Sequence, residues 1–300
     1  MSKLTERLVT DLLIHTIRGV GFAGTQYSRA ERFLSELALH TLDPDELERL
    51  TCAIYDAKGT YREDPGLMPW EEAWFARDLP PAPARVLVGG AGSGREVRAL
   101  HAQGYEVIAF EPAPAFVRRA LALDANAQRA FLLGSYSDLV DSSRPRHADL
   151  NAELARFAPY DAALVGWGSF SHIPGPETRF GLLARLRELC PRGPLLASFF
   201  MQFETLPPEG GRMERWGRQL AATLRQRMGQ PPRVLSQGES LLLDAGYAHQ
   251  YTAQEIDELA TRLGARLAPA DGWPYPHEYP HCAFLPTEKS RPRRGKSTAP

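Results

Sequence analysis

The chain has 300 residues, 43% of them hydrophobic and 24% charged, with a formal net charge of −1 at pH 7. That size buries one large core or two modest ones. The near-neutral balance argues against a nucleic-acid partner held by broad phosphate neutralisation, and no apolar run approaches the length of a membrane span. Cys52, Cys190 and Cys282 are scattered and odd in number, which reads as buried thiols in a reducing cytoplasm rather than a disulfide frame or a zinc site.

Residues 1–80 are expected to form a helical N-terminal cap. Leu4, Leu8 and Leu12 mark an apolar stripe interrupted by Glu6 and Asp11, the pattern of an amphipathic helix and not of a signal peptide. A second helical pattern covers 29–40. A third has Asp43 as N-cap, Pro44 at the first helical position and Glu46 as the reciprocal acid. An aromatic loop follows, then a short helix with Trp74 and Phe75; Glu71 and Glu72 read as its solvated start. Pro80, Pro81 and Pro83 form a stiff boundary.

From Arg85 strands and helices alternate. Strand 85–89 runs into the cluster Gly89-Gly90-Ala91-Gly92-Ser93-Gly94, and helix 94–103 follows at once. Glycines in such a turn let the backbone approach a ligand, and the helix N-terminus offers free N–H groups. Strand 106–110 ends in Glu111, an acid placed to accept both hydroxyls of a ribose. The pair implies a nucleoside cofactor. The dinucleotide spacing G-x-G-x-x-G fails, because Arg95 stands where the third glycine belongs. The phosphate-loop spacing fails as well, because Arg95-Glu96 replaces Lys and Ser/Thr. The remaining pattern is G-x-G-x-G at Gly90, Gly92 and Gly94.

Here the chain resembles the class I S-adenosylmethionine-dependent methyltransferases, over roughly residues 80–285. The resemblance implies a Rossmann-like three-layer α/β sandwich with a seven-stranded, mostly parallel sheet. It makes 81–287 the S-adenosylmethionine-binding domain, with 204–235 an inserted cap element, and 288–300 reads as a disordered basic tail. Gly90, Ala91, Gly92 and Gly94 would admit the cofactor, Glu111 with Pro112 would hold its ribose, and Ser135 and Tyr136 would frame adenine. The family usually carries an acid where Val88 stands and an Asp where Ser135 stands. Trp167 would face the sulfonium, and His172 has the basicity for proton removal near neutral pH.

The remaining segments follow the same alternation. A short strand at 130–133, a fourth at 161–166, helix 177–190 and a fifth strand at 194–200 imply a parallel sheet whose ligands bind beyond the carboxyl ends of the strands. An Arg-rich helix spans 213–228, and 239–243 reads as a further strand. Thr252 and Glu255 form a capping box for a helix ending near Gly264, and an antiparallel strand is expected at 281–285. His249, His277 and His281, with Tyr247, Tyr251, Trp273, Tyr275 and Tyr279, read as the aromatic wall of an acceptor pocket and not as a metal site.

The expected activity is methyl transfer from S-adenosylmethionine to an O or N atom of a small organic molecule in the cytoplasm. No nucleic acid, membrane or metal is called for, and a homodimer is compatible with the pattern. A non-catalytic S-adenosylmethionine-binding or scaffold protein, and an NAD(P)-dependent oxidoreductase, remain as alternatives.

Overall fold

The computed structural model describes residues 24, 26–58, 66–123, 130–141, 150–202, 211–273 and 279–287. The first predicted helix, Tyr275, His277, residues 204–210 and the basic tail lie outside the described residues.

Seven strands form the main sheet: β1 (Arg85–Gly89), β2 (Glu106–Glu111), β3 (Phe131–Leu133), β4 (Ala162–Val165), β5 (Leu195–Ser198), β9 (Ala265–Pro269) and β10 (His281–Pro286). Their order is β3-β2-β1-β4-β5-β10-β9. β3, β2, β1, β4 and β5 pair in parallel, and β10 runs antiparallel to both β5 and β9. β10 is the antiparallel strand expected near 281–285. Chain order reverses between β1 and β4, and that reversal opens a crevice at the carboxyl edge of the sheet.

Alternation along each strand builds two cores. Leu87, Ile108, Phe110, Ala163, Val165, Leu195 and Ala197 face one side. There they meet α7 (Leu150–Phe157), α8 (Pro176–Leu189) and α10 (Ala253–Leu263) through residues such as Leu154, Leu186 and Ile256. Val86, Val88, Val107, Ala109, Leu164 and Leu196 face the other. They meet α3 (Pro69–Asp78), α4 (Arg95–Ala102) and α5 (Pro114–Leu123) through Trp74, Phe75, Leu100 and Ala120. This is the three-layer sandwich expected. Each fully buried Leu or Val side chain contributes about 1.5–3 kcal/mol by leaving water.

Two compact units emerge, and their boundary departs from the expected 1–80 cap. One gathers residues up to Leu42 with 206–237 and 241–243; the other holds Asp43–Thr205, Gly238–Ser240 and the chain from Asp244 onward. In the first unit, α9 (Arg212–Arg227) lies against the helical stretch 26–41 (α1). Gly217 allows that approach, since a Cβ there would come within 2.7 Å of the Phe33 carbonyl oxygen. Arg218 also reaches Glu36 at 3.0 Å. By contrast α2 (Pro44–Lys58) and α3 belong with the sheet. Thr51 of α2 accepts the Tyr247 N–H at 2.9 Å, and Trp74 and Phe75 of α3 complete a core.

Two strands were not anticipated. β8 (Gly246–Tyr251) joins a small sheet of order β6-β8-β7, where β6 is Phe200–Met201 and β7 is Glu239–Leu242. β9 follows directly on the helix expected to end near Gly264, where no strand is expected. The strand expected at 194–200 divides at Phe199, whose N–H bonds to the Pro280 carbonyl at 3.1 Å; β5 stays in the main sheet and β6 leaves it. No helix among the described residues is long and apolar enough to cross a membrane.

Candidate active site

The glycine turn after β1 uses the left-handed region three times, with φ of 62° at Gly90, 54° at Gly92 and 79° at Gly94. Gly90 is required by crowding as well: a side chain there would strike the Tyr136 hydroxyl and the Ser169 side chain. Gly92 has nothing within 4 Å of the place a Cβ would take, so the turn is open on its outer side. The Gly92 N–H donates to Glu111 Oε2 at 2.9 Å, and the Ala113 N–H donates to Oε1 at 2.9 Å. Glu111 therefore stands at the end of β2, locked against the turn by two main-chain donors. Burial pushes its carboxyl up to about 7 despite those donors.

A cavity of about 320 Å³ lies over this turn, within the range of small-molecule sites. It is lined by Gly90, Ala91, Gly92, Glu111, Pro112, Tyr136, Trp167 and His172. The structure thus brings together eight of the ten residues singled out from the sequence. Gly94 and Ser135 stand apart. Gly94 is the N-cap of α4, and a Cβ there would face Ala120 and Phe131 at 3.4 Å. Ser135 caps the short helix α6 (Tyr136–Val140), its Oγ accepting the Asp138 N–H at 3.2 Å.

Tyr136 also differs from expectation. Its ring is buried edge-on to Phe110, with centroids 5.5 Å apart at 82°. The Ser169 hydroxyl donates to the Gly166 carbonyl at 2.7 Å, so the Tyr136 hydroxyl donates to Ser169 Oγ at 2.9 Å. Tyr136 braces the floor beneath Gly90.

Trp167 has φ of 40°, the one positive value of a non-glycine residue among those described. Such a backbone costs of order 1–3 kcal/mol and persists only where neighbours hold it. Its indole carries the Arg95 guanidinium 4.3 Å from the ring centroid. Gly168 follows with φ of 71°, and its N–H donates to Ser198 Oγ at 2.8 Å. His172 ends the 3-10 turn Ser169–His172. Its Nδ1 lies 2.7 Å from the Tyr247 carbonyl oxygen and its Nε2 lies 3.2 Å from the Tyr55 hydroxyl. Burial lowers the His172 pKa.

Sequence reasoning missed the contribution of α2, whose Glu48, Thr51, Cys52 and Tyr55 line the cavity. The capping box at Asp43 located that helix, but nothing local showed which face met the site. Glu71 was expected in solvent and is 1% exposed. It is buried because its carboxylate both accepts the Met68 N–H at 2.7 Å and pairs with Arg95. Of the late aromatic set only Tyr279 reaches the cavity among the described residues. Tyr247 and Tyr251 point into the protein, where Arg179 meets the Tyr247 hydroxyl at 3.2 Å, and His281 stacks on Trp70 and Trp74.

The cavity sits where the strand order reverses, in a seven-stranded sheet with β10 alone inverted. The fold is a Rossmann-like α/β sandwich. No family model matches the sequence, and no curated protein matches it. Solved structures of methyltransferases do align with it. The 1,6-didemethyltoxoflavin-N1-methyltransferase of Burkholderia thailandensis is 20% identical, with a TM-score of 0.48 over 81% of this chain and 89% of its own. The CcbJ methyltransferase of Streptomyces caelestis is 16% identical, with a TM-score of 0.48 over 78% of this chain and 96% of its own. An S-adenosylmethionine-dependent methyltransferase of Bacteroides fragilis, in complex with S-adenosylhomocysteine, is 15% identical, with a TM-score of 0.47 over 81% and 96%.

Proposed function

We propose that the chain is an S-adenosylmethionine-dependent methyltransferase acting on an O or N atom of a small organic molecule. The observation that carries this reading is the Glu111 carboxylate, fixed by the Gly92 and Ala113 N–H groups inside the cavity over the glycine turn. Each carboxylate oxygen accepts one main-chain donor and keeps a second lone pair for a sugar hydroxyl. The open outer face of Gly92 leaves room for a ligand to lie against the backbone. These residues fit an adenosyl group.

When bound, S-adenosylmethionine supplies a methyl group already made electrophilic by its sulfonium. The protein's part is positioning, exclusion of water and management of one proton. Glu111 orients the sugar. Phe116, Phe200 and Tyr279 give the cavity apolar walls. His172 and Tyr55 both line it, so a proton released by an acceptor O–H or N–H enters the Tyr55–His172 pair. In this reading the unit built on the sheet is the catalytic domain, and α1 with α9 is an accessory element. The buried thiols of Cys190 and Cys282 suit a cytoplasmic setting.

Isothermal titration of the full chain with S-adenosylhomocysteine, S-adenosylmethionine and NAD(P) tests the reading. Micromolar binding of the first two, weakened at least tenfold by Glu111→Ala, supports it. Binding of NAD(P) in their place would assign an oxidoreductase. Binding without methyl transfer to any of a broad acceptor panel would favour a non-catalytic role.

A further inference from the structure

Arg95 and Glu96 begin α4 directly after the glycine turn, and both line the cavity while being only 7% exposed. They belong to a network of three charges. The Arg95 guanidinium forks onto the two carboxylate oxygens of Glu71, with Nη2 2.6 Å from Oε1. The same Nη2 donates to Glu96 Oε1 at 2.8 Å, and Nη1 donates to the Gly66 carbonyl at 2.9 Å. Glu71 is thereby occupied by the fork and by the Met68 N–H. Glu96 shares its one side-chain donor with that other carboxylate and is otherwise held by its own main-chain N–H.

With both acids ionised, two carboxylates and one guanidinium sum to −1 in a desolvated wall. A buried charge left without a counter-charge is costly. Burial raises the Glu96 pKa, the Arg95 charge opposes that rise and the Glu71 charge adds to it, as expected when one cation is divided between two anions. Glu96 Oε1 also reaches the switch point of the sheet, 3.3 Å from where a Cβ on Gly166 would stand. Val88, by contrast, is 1% exposed and packs in the core with Val86, Ala109 and Leu164, so β1 sends no carboxylate into the cavity.

We propose that Glu96 is a specificity-determining residue that accepts the cationic amino group of the ligand's amino-acid tail, with Arg95 and Glu71 as positioning residues that fix its carboxylate. The proposal rests on the adenosyl reading of the cavity. An ammonium there balances the second carboxylate when it ionises, and it is met from the helix after the turn. A ligand without the amino group forfeits the contact.

The test is titration calorimetry at pH 8 on the full chain and on Glu96→Gln. The two probes are S-adenosylhomocysteine and its deamino analogue, which keeps adenosine, thioether and carboxylate. Wild type is expected to prefer S-adenosylhomocysteine by about thirtyfold, and Glu96→Gln to reduce that preference to under about threefold. The affinity of the deamino analogue should be the same in both proteins, which also shows that the variant's cavity is intact. Equal binding of the two probes by wild type overturns the proposal without reference to any variant. So does an unchanged preference in Glu96→Gln. Failure of wild type to bind either probe removes the adenosyl reading itself.

Discussion

The Nδ1 of His172 lies 2.7 Å from the Tyr247 carbonyl oxygen. A carbonyl only accepts, so Nδ1 carries the imidazole proton and Nε2 presents a lone pair. The Tyr55 hydroxyl, 3.2 Å away, donates to that lone pair. Burial lowers the His172 pKa, so the ring is neutral at physiological pH. Ring-nitrogen NMR should show the Nδ1-protonated tautomer at pH 7, with the ring titrating below the ordinary imidazole range. With an acceptor that must lose a proton, His172→Asn should slow methyl transfer by about 10²-fold or more and leave S-adenosylhomocysteine affinity within twofold. A parallel loss of affinity would make His172 a structural residue.

Glu111 sets a pH dependence on cofactor binding. Its carboxyl is raised to about 7 by burial, so the folded protein without ligand is protonated there below that pH. Sugar hydroxyls donate to the ionised form, and binding is therefore linked to proton release. Affinity for S-adenosylhomocysteine should be flat above pH 8 and fall by about tenfold per unit below pH 7. Calorimetry in buffers of different ionisation enthalpy should register the released proton. The stability effect has the opposite sense: the neutral buried carboxyl favours the fold at low pH, and that contribution is lost as pH rises from about 4.5 through 7.

Thr51 holds α2 to β8. Its hydroxyl donates to the Leu47 carbonyl at 2.8 Å and accepts the Tyr247 N–H at 2.9 Å. Thr51→Val keeps the shape, removes both bonds and leaves a buried N–H unpaired. Urea unfolding should show a loss of about 1–3 kcal/mol. The same main-chain residue fixes the His172 tautomer, so the variant should also disturb the His172 ring signals.

Ser135 gives a sharper test of placement. As the N-cap of α6 it should cost about 1 kcal/mol of stability when replaced by Ala. Because its Oγ already accepts the Asp138 N–H, Ser135→Ala should leave S-adenosylhomocysteine affinity within twofold. A tenfold loss would put Ser135 back at the adenine.

Where a local rule acts alone, the chain was readable before its structure. The glycine cluster located β1 and α4 to within a residue. The box of Thr252 and Glu255 located α10, and both of its hydrogen bonds form. β8 escaped because Gly246-Tyr247-Ala248-His249-Gln250-Tyr251 is buried on both faces save at Gln250, so it shows no period of two. Glu71 escaped for a different reason. A carboxylate at a helix start is normally solvated, and only the arrival of Arg95 from 24 residues away makes its burial tolerable. Tertiary pairings of that kind have no signature in spacing.

The partner of the His172 Nδ1 is a peptide group and not an acid. A dipole tempers the charge on an imidazolium far less than a full carboxylate would, so the ring is a mild base. In the proposed methyl transfer such a base would suit acceptors whose hydrogen is already loosely held, such as phenols or enols, more than simple alcohols. And since the orienting oxygen belongs to the main chain, exchange of the tyrosine at 247 for another residue would leave that chemistry in place as long as the strand itself endures.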